Sequence, residues 1–447
     1  MKRRTLLLCL LFSFNFQLPA EVDPHPGHPG HPDKSEWRTV SSLAELATYA
    51  VRDGVKVRMI PGTYVLEEAE SHHFISFSGK GSHYDLRGVI IRVDTELFSR
   101  FGRPRGLNDF YCVIDLSGDD ILFEGATIET FGDRPGLQSK NKILNITGSR
   151  VVVKNLDITT SGSSPWGYGS FFGISGGDVR KMNGIRVGWP AQGVRIIDCR
   201  VHMRAMGHAI FVQGATDTLI ESCHVDGLLR STNEILAEGS GYAYERNFKA
   251  SGAHYIEGVT VGPEGEILPG EIVSLSEDGI RLYGQYNGIR TGPTTIRNCT
   301  VRGMRRGICT GLGQGSDRVI NCKVTDSVAA AFNIGSGDIL ENCRADAKYA
   351  EALSCPYPNS KNARVELEIL DSRDGMANDL LATINGQGHA IRIHTQQADF
   401  VPASMLIALG TRRGYAFYQN PVKAPEQLSL QNETRAKVIN DLPGKDE

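Results

Sequence analysis

His208, Glu277, Asp278, Arg281 and Tyr283 are the residue types from which proton transfer beside a carboxylate is assembled. An arginine stays charged and holds a carboxylate through two parallel N–H bonds. A histidine or lysine takes a proton near neutral pH, and a tyrosine can give one back. On this reading Arg186, Arg230 and Arg281 are carboxylate clamps, His208 and Lys249 are bases, and Tyr283 or Tyr244 is an acid. Glu277 and Asp278 would orient His208 or an arginine, or bind a cation such as Ca2+. Asn183, Arg306 and Glu238 complete the set as substrate contacts. Each residue also has an ordinary use. His208 could bond to a neighbouring turn of chain, the arginines could form a solvated face, and Glu277 and Asp278 could cap the turn before Gly279.

Residues so far apart in sequence meet only if the chain is folded back at regular intervals. A recurring phrase supplies the interval: RIIDCRV at 195–201, LIESCHV at 219–225, TIRNCTV at 295–301, RVINCKV at 318–324 and ILENCRA at 339–345. Its cysteines are Cys199, Cys223, Cys299, Cys322 and Cys343, with gaps of 24, 76, 23 and 21 residues. A period of this size carrying short alternating strands is the mark of a solenoid, and no helical period fits the same windows. GVIIRV at 88–93, ILFEGATI at 121–128 and VVVKNLDI at 151–158 read as earlier copies.

The strand beside each phrase aligns as well. Apolar pairs such as Ile185/Val187, Ile210/Val212 and Ile280/Leu282 point inward, so the residue between them points outward. This outer column runs Asp115, Asn145, Arg186, Phe211, Arg281, Cys309, Asn333. A second column, two residues before each pair, runs Cys112, Lys142, Asn183, His208, Asp278, Arg306, Ala330. Stacked strands lie about 4.8 Å apart, so Asn183, His208, Asp278 and Arg306 should form one polar line flanked by Arg186 and Arg281. The long gap is an excursion, residues 226–277, which leaves after the His208 rung and returns at Asp278. Its charged residues Arg230, Glu234, Glu238, Arg246 and Lys249 would fold over the line. A second loop, 159–182, contains SSPWGYGSFFG; it would wall the same groove and stack on sugar rings, or simply cover the surface.

The ends differ in kind. Residues 1–20 have a basic start, an apolar run and Leu18-Pro19-Ala20, which reads as a secretory signal peptide. Residues 21–35 contain PHPGHPGHP, a flexible linker rather than a metal site. Residues 36–447 form the solenoid domain, opened by a capping helix in VSSLAELATYAVRDG, and residues 415–447 read as a C-terminal cap and tail. A formal charge of −3 excludes the basic excess of a nucleic-acid binder. No stretch is long enough to span a bilayer. Eight cysteines outside the leader would permit disulfides, but five at one repeat position read as stacked free thiols. No C-x-x-C or H-E-x-x-H pattern occurs, so no zinc site is expected.

With its stacked N-C-x-V turns, VRMIPGTYVL opening and helical N-cap, the chain resembles the right-handed parallel β-helix proteins of the pectin-lyase-like superfamily. The resemblance covers residues 36–410 and implies an all-β, single-stranded solenoid. The leader implies a secreted or periplasmic protein, and the fold a monomer acting on an acidic polysaccharide or oligosaccharide. Joined to the clamp, base and acid above, it points first to a polysaccharide lyase that cleaves a uronic-acid-containing glycan by β-elimination. A glycoside hydrolase using Glu238 with Asp278, a uronan C5-epimerase, and a non-catalytic glycan-binding or adhesin β-helix are the alternatives the same fold allows.

Overall fold

The computed structural model describes residues 36–101, 111–132, 141–173, 179–251, 261–313, 315–371, 380–395, 406–409 and 437–441. The expected leader and linker, and most of 415–447, lie outside them. Contacts divide the chain into Met1–Glu36 and Trp37–Glu447, and the second unit is the solenoid.

Each full rung is three short strands. Arg195–Ile197, Arg200–Met203 and Ile210–Gln213 make one. Thr294–Arg297, Thr300–Arg302 and Arg306–Cys309 make another. Successive rungs pair in parallel and in register, building a 21-stranded sheet and an 11-stranded sheet. This is the right-handed parallel β-helix that the repeat predicts.

The recurring phrase is a corner between two strands. The residue before each cysteine adopts a left-handed backbone: Asp198, Ser222, Asn298, Asn321 and Asn342, with φ between +51° and +56°. Asn and Asp enter this region more readily than most side chains, which is why the phrase carries them there. The corner turns each cysteine inward. Cys299, Cys322 and Cys343 are buried and hand their thiol hydrogens to Ile220, Ile296 and Val319 of the preceding rung, at 3.6, 3.7 and 3.4 Å. All eight cysteines of the described residues are free.

The capping helix is Leu43–Ala50. Ser42 caps it by accepting from Glu45 N at 3.1 Å, and Glu45 reaches back to Ser41 N at 2.9 Å. Leu46 and Ala50 enter the core. At the other end the tail differs from expectation: Lys437–Asp441 pairs with Ala390–His394 as a further parallel rung.

The excursion is a folded cover. Leu229–Ser231 pairs antiparallel with Ile272–Ser274, and helices Thr232–Leu236 and Tyr242–Glu245 come after the first strand. It shares a second hydrophobic cluster with the 159–182 loop, built from Tyr168, Phe171, Phe172, Met206, Ile235 and Val273 among others. The aromatic residues of that loop are therefore packing, not open stacking platforms.

Candidate functional site

The ladders reproduce both aligned columns. Asp115 pairs with Asn145, Asn145 with Arg186, Arg186 with Phe211, Phe211 with Arg281 and Arg281 with Cys309. In the second column Cys112 pairs with Lys142, Lys142 with Asn183, and Asp278 with Arg306. His208 joins by its backbone, its N–H donating to Asn183 Oδ1 at 2.9 Å and its carbonyl accepting from Gly184 N, also at 2.9 Å. From the Asn183 rung onward the position between column and apolar pair is small (Gly184, Ala209, Gly279, Gly307, Ala331) because it faces the opposite wall. A Cβ at Gly279 would lie 2.4 Å from Val301 Cγ1 and 2.7 Å from the Gly307 carbonyl oxygen. With that residue turned inward, both polar columns share the outer face.

That face is not the solvated surface the sequence left open. Arg186, Arg281, Arg306, Glu277 and Asp278 are all at most 3 % exposed, and His208 is 6 % exposed. Tyr283 is the half-buried member that reaches the surface.

Asp278 anchors the cluster. Its Oδ1 accepts from Arg306 Nε at 3.0 Å and Arg305 Nη2 at 3.2 Å, and its Oδ2 lies 3.4 Å from Arg281 Nη1. Glu277 Oε1 accepts from Lys181 Nζ at 2.7 Å. Burial alone would push both acids up. The guanidiniums of Arg306, Arg305 and Arg281 outweigh it and hold Asp278 well below the usual carboxylate range, while Lys181 and Arg305 lower Glu277. Both acids are thus ionised and already engaged by cations, an environment unlike the open, all-oxygen shell Ca2+ prefers.

The His208 ring sits between the acids and Tyr283. Nδ1 is 3.3 Å from Asp278 N and 3.5 Å from Asp278 Oδ2; Nε2 is 2.7 Å from Tyr283 Oη and 3.5 Å from Glu277 Oε2. Each nitrogen therefore has a partner in either tautomer. Burial lowers the His208 pKa to about 4, so the ring is neutral at neutral pH. Burial raises the Tyr283 hydroxyl above its ordinary range, so it too keeps its proton.

Four cationic side chains, Lys181, Arg281, Arg305 and Arg306, thus face two carboxylates and a neutral imidazole. Arg281 Nε and Nη1 have no hydrogen-bond partner among the described residues, although Nη1 lies near Asp278. Unmet buried guanidinium donors are costly.

The remaining expected residues divide. Asn183 is a buried brace, donating from Nδ2 to the Asn141 carbonyl at 3.0 Å. Arg186 lies across Gly188, where a Cβ would come 2.1 Å from Nη1. Its guanidinium meets Asn145 Oδ1 at 3.0 Å and the Tyr286 ring at 4.9 Å. Arg230 and Glu238 pair with each other at 2.6 Å; Glu238 also accepts from Tyr168 Oη at 2.8 Å, and Arg230 donates to the Gly167 carbonyl at 2.9 Å. They pin the excursion to the 159–182 loop. Among the described contacts neither meets the His208 cluster. Lys249 pairs with Glu264 at 3.1 Å and also stays outside it; Tyr244 is 51 % exposed and packs on Phe248. The reading of the sequence missed Lys181 and Arg305. Arg305 stands beside Arg306, so the doubled arginine was the available signal; Lys181 carried none, because it lies just ahead of its strand.

The family model for right-handed β-helix regions matches residues 183–345, the stretch that holds the cysteine corners and most of this cluster. No curated protein sequence matches the chain. Among solved structures, an alginate lyase from Paenibacillus sp. str. FPU-7 aligns at 10 % identity and TM-score 0.43, over 80 % of this chain and 94 % of that one. A rhamnogalacturonan lyase aligns at 11 % identity and TM-score 0.45, over 75 % and 79 %. The tailspike of E. coli bacteriophage HK620, in complex with a pentasaccharide, aligns at 12 % identity and TM-score 0.40, over 87 % and 57 %. No helix of the described residues is long and apolar enough to cross a membrane. The likeness read from the N-C-x-V repeat holds at the level of fold: the chain is a right-handed parallel β-helix protein.

Proposed function

We propose that this protein is a polysaccharide lyase that cleaves a uronic-acid-containing glycan by β-elimination. One observation carries the reading. A cation-rich, buried cluster holds a neutral imidazole 2.7 Å from the hydroxyl of the half-buried Tyr283.

The roles differ from a direct His208 base, because His208 lies behind Tyr283. The uronate carboxylate docks against the cluster, with Arg281 supplying positive charge. That charge stabilises the carbanion formed when the C5 proton leaves. With the His208 proton on Nδ1, turned to Asp278 Oδ2 at 3.5 Å in place of the bond that Nδ1 accepts from Asp278 N, Nε2 accepts the Tyr283 hydroxyl proton while Tyr283 Oη takes the C5 proton. Asp278 and Glu277 stabilise the resulting imidazolium. The C4–O bond breaks as the C4=C5 double bond forms, Tyr283 delivers its new proton to the departing oxygen, and His208 returns the first proton to Tyr283. No net proton is consumed. No metal is assigned a role in these steps. A hydrolase using Glu238 with Asp278 is less suited: Asp278 is held ionised by three arginines, and Glu238 belongs to a separate ion pair.

Incubation with a panel of polyuronates tests the proposal. A lyase raises ultraviolet absorbance as unsaturated ends form. New reducing ends without that absorbance, or a change in uronate composition at constant chain length, would overturn it in favour of a hydrolase or an epimerase. Binding with no chemical change would leave a binding module.

A further inference from the structure

The same two outer columns carry a second constellation nearer the N-terminus. His73 lies on the strand His73–Phe77, and Cys112 and Asp115 lie on the next rung, Cys112–Leu116. The ladder pairs His73 with Cys112 and Ser76 with Asp115. One donor atom from each of His73, Cys112 and Asp115 lies within 4.8 Å of the other two. We propose that these three side chains form a binding site for a thiophilic divalent ion of the Zn2+ type, with a fourth coordination position open to water or a glycan carboxylate.

The donor set and its spacing carry the argument. Imidazole, thiolate and carboxylate are the three ligand types zinc takes from proteins, and three protein ligands with one open position is its common arrangement at reactive sites. Bond lengths of about 2.0–2.3 Å in a tetrahedron put neighbouring donors about 3.3–3.6 Å apart. His73 Nδ1 and Asp115 Oδ2 are 3.5 Å apart, too far for a strong hydrogen bond and matched to that edge.

The carboxylate is also oriented as a ligand would be. Asp115 Oδ1 accepts from Asn145 Nδ2 at 2.7 Å, and Asn145 Oδ1 accepts from Arg186 Nη1 at 3.0 Å. This relay fixes the carboxylate and turns Oδ2 toward His73, the kind of outer support metal ligands receive.

Cys112 differs from the corner cysteines in the same direction. Those thiols face the apolar interior and bond to carbonyls of the preceding rung. Cys112 stands on the outer column among Asp115, Lys142 and Arg186; burial and Asp115 raise its thiol well above the ordinary range, against the pull of the two cations. The side chain of His73 is 30 % exposed, which gives an ion a way in. On binding, the Cys112 thiol loses its proton to solvent and forms the metal–sulfur bond. Thiolate and carboxylate together balance the charge of the ion. The site lies four rungs from Tyr283, about 19 Å along the stack, so it stands independently of the lyase reading.

The test uses the full chain with Co2+ as a probe and Zn2+ as competitor. Co2+ should bind one per chain and give a near-ultraviolet thiolate charge-transfer band that Zn2+ abolishes. Cys112→Ser should lose the band, and His73→Gln should weaken binding at least about tenfold, with melting curves checking that both variants fold. The histidines of the PHPGHPGHP segment, His25, His28 and His31, cannot produce a thiolate band, and replacing all three by alanine should leave it unchanged. Absence of binding, binding without the band, or a band that survives both Cys112→Ser and His73→Gln would overturn the proposal.

Discussion

The corner column and the outer columns of the β-helix obey the same geometry and use it in opposite ways. At the corner the same residue recurs: Cys199, Cys223, Cys299, Cys322 and Cys343 are buried in the core, each beneath its own copy. On the outer face the residue type changes at every rung, from Asn183 to His208 to Asp278 to Arg306, and charges meet their opposites across the ladder. Identical stacked residues satisfy one packing problem many times over. A column in which each residue differs builds one site once. Such a site is costly, because buried ion pairs are desolvated and seldom stabilise a fold relative to apolar packing. Where a solenoid departs from its own repeat is therefore where its chemistry belongs.

The sharpest way to break this contrast is to remove one oxygen from the outer site. Tyr283→Phe keeps the ring against Arg281, 5.2 Å from its guanidinium, and deletes only the hydroxyl that meets His208. Turnover on the polyuronate that the panel identifies should fall by about 10^3-fold, within the range general acid–base groups contribute, with KM little changed. An unaffected kcat would take Tyr283 out of the reaction and leave the cluster a structural one. His208→Ala or Arg281→Ala is less informative, since truncating a fully buried member of the network also destabilises the fold.

The contrast also explains what the sequence could and could not disclose. The corner announces itself because Cys and Asn recur at a fixed interval, and the outer columns emerge once the apolar pairs are aligned. Burial was not legible. Nothing in the spacing says that Tyr168, Phe171 and Phe172 pack with Ile235 and Val273 in a second hydrophobic cluster. Arg230 and Glu238 were grouped with the site because they lie in the excursion, yet they bind each other and hold two loops together. Lys249 likewise pairs with Glu264 inside the excursion. His73, Cys112 and Asp115 escaped a search for local metal motifs because the ligands come from two rungs. Only the register, not the distance along the chain, brings them together.

Acid sharpens the comparison next, because titratable groups crowd one region and not the other. Burial places the folded pKa of His208 at about 4, below its ordinary value of 6.5. The folded chain thus binds fewer protons there than the unfolded chain. The resulting stability is present in full above pH 6.5 and is lost as pH falls from 6.5 toward 4. Between about pH 7.5 and about pH 5 the loss from this group is roughly 2 kcal/mol. Urea unfolding at the two pH values should show it, and His208→Gln should flatten the difference. The depressed carboxylates of Glu277 and Asp278 add to acid sensitivity only lower, below their ordinary range. A variant with the same pH slope as the parent would place the titration elsewhere.

The smallest effect is expected at the corner, where one substitution separates two contributions. Asn298 holds a left-handed backbone at φ +56° and accepts from Asn321 Nδ2 at 3.3 Å, one rung on. Asn298→Gly removes the side-chain bond but keeps easy access to that backbone. Asn298→Ala removes both, and a residue without a short polar side chain is strained there by about 1–2 kcal/mol. Alanine should therefore lower stability by about 1 kcal/mol more than glycine, measured by urea midpoint, and neither should change kcat. If the two variants are equally stable, the conformation is not what selects asparagine, and the exposed side-chain ladder is. If either lowers kcat at unchanged stability, the division between a corner that holds the coil and a face that does chemistry fails, because a corner change would have reached the site through the rung.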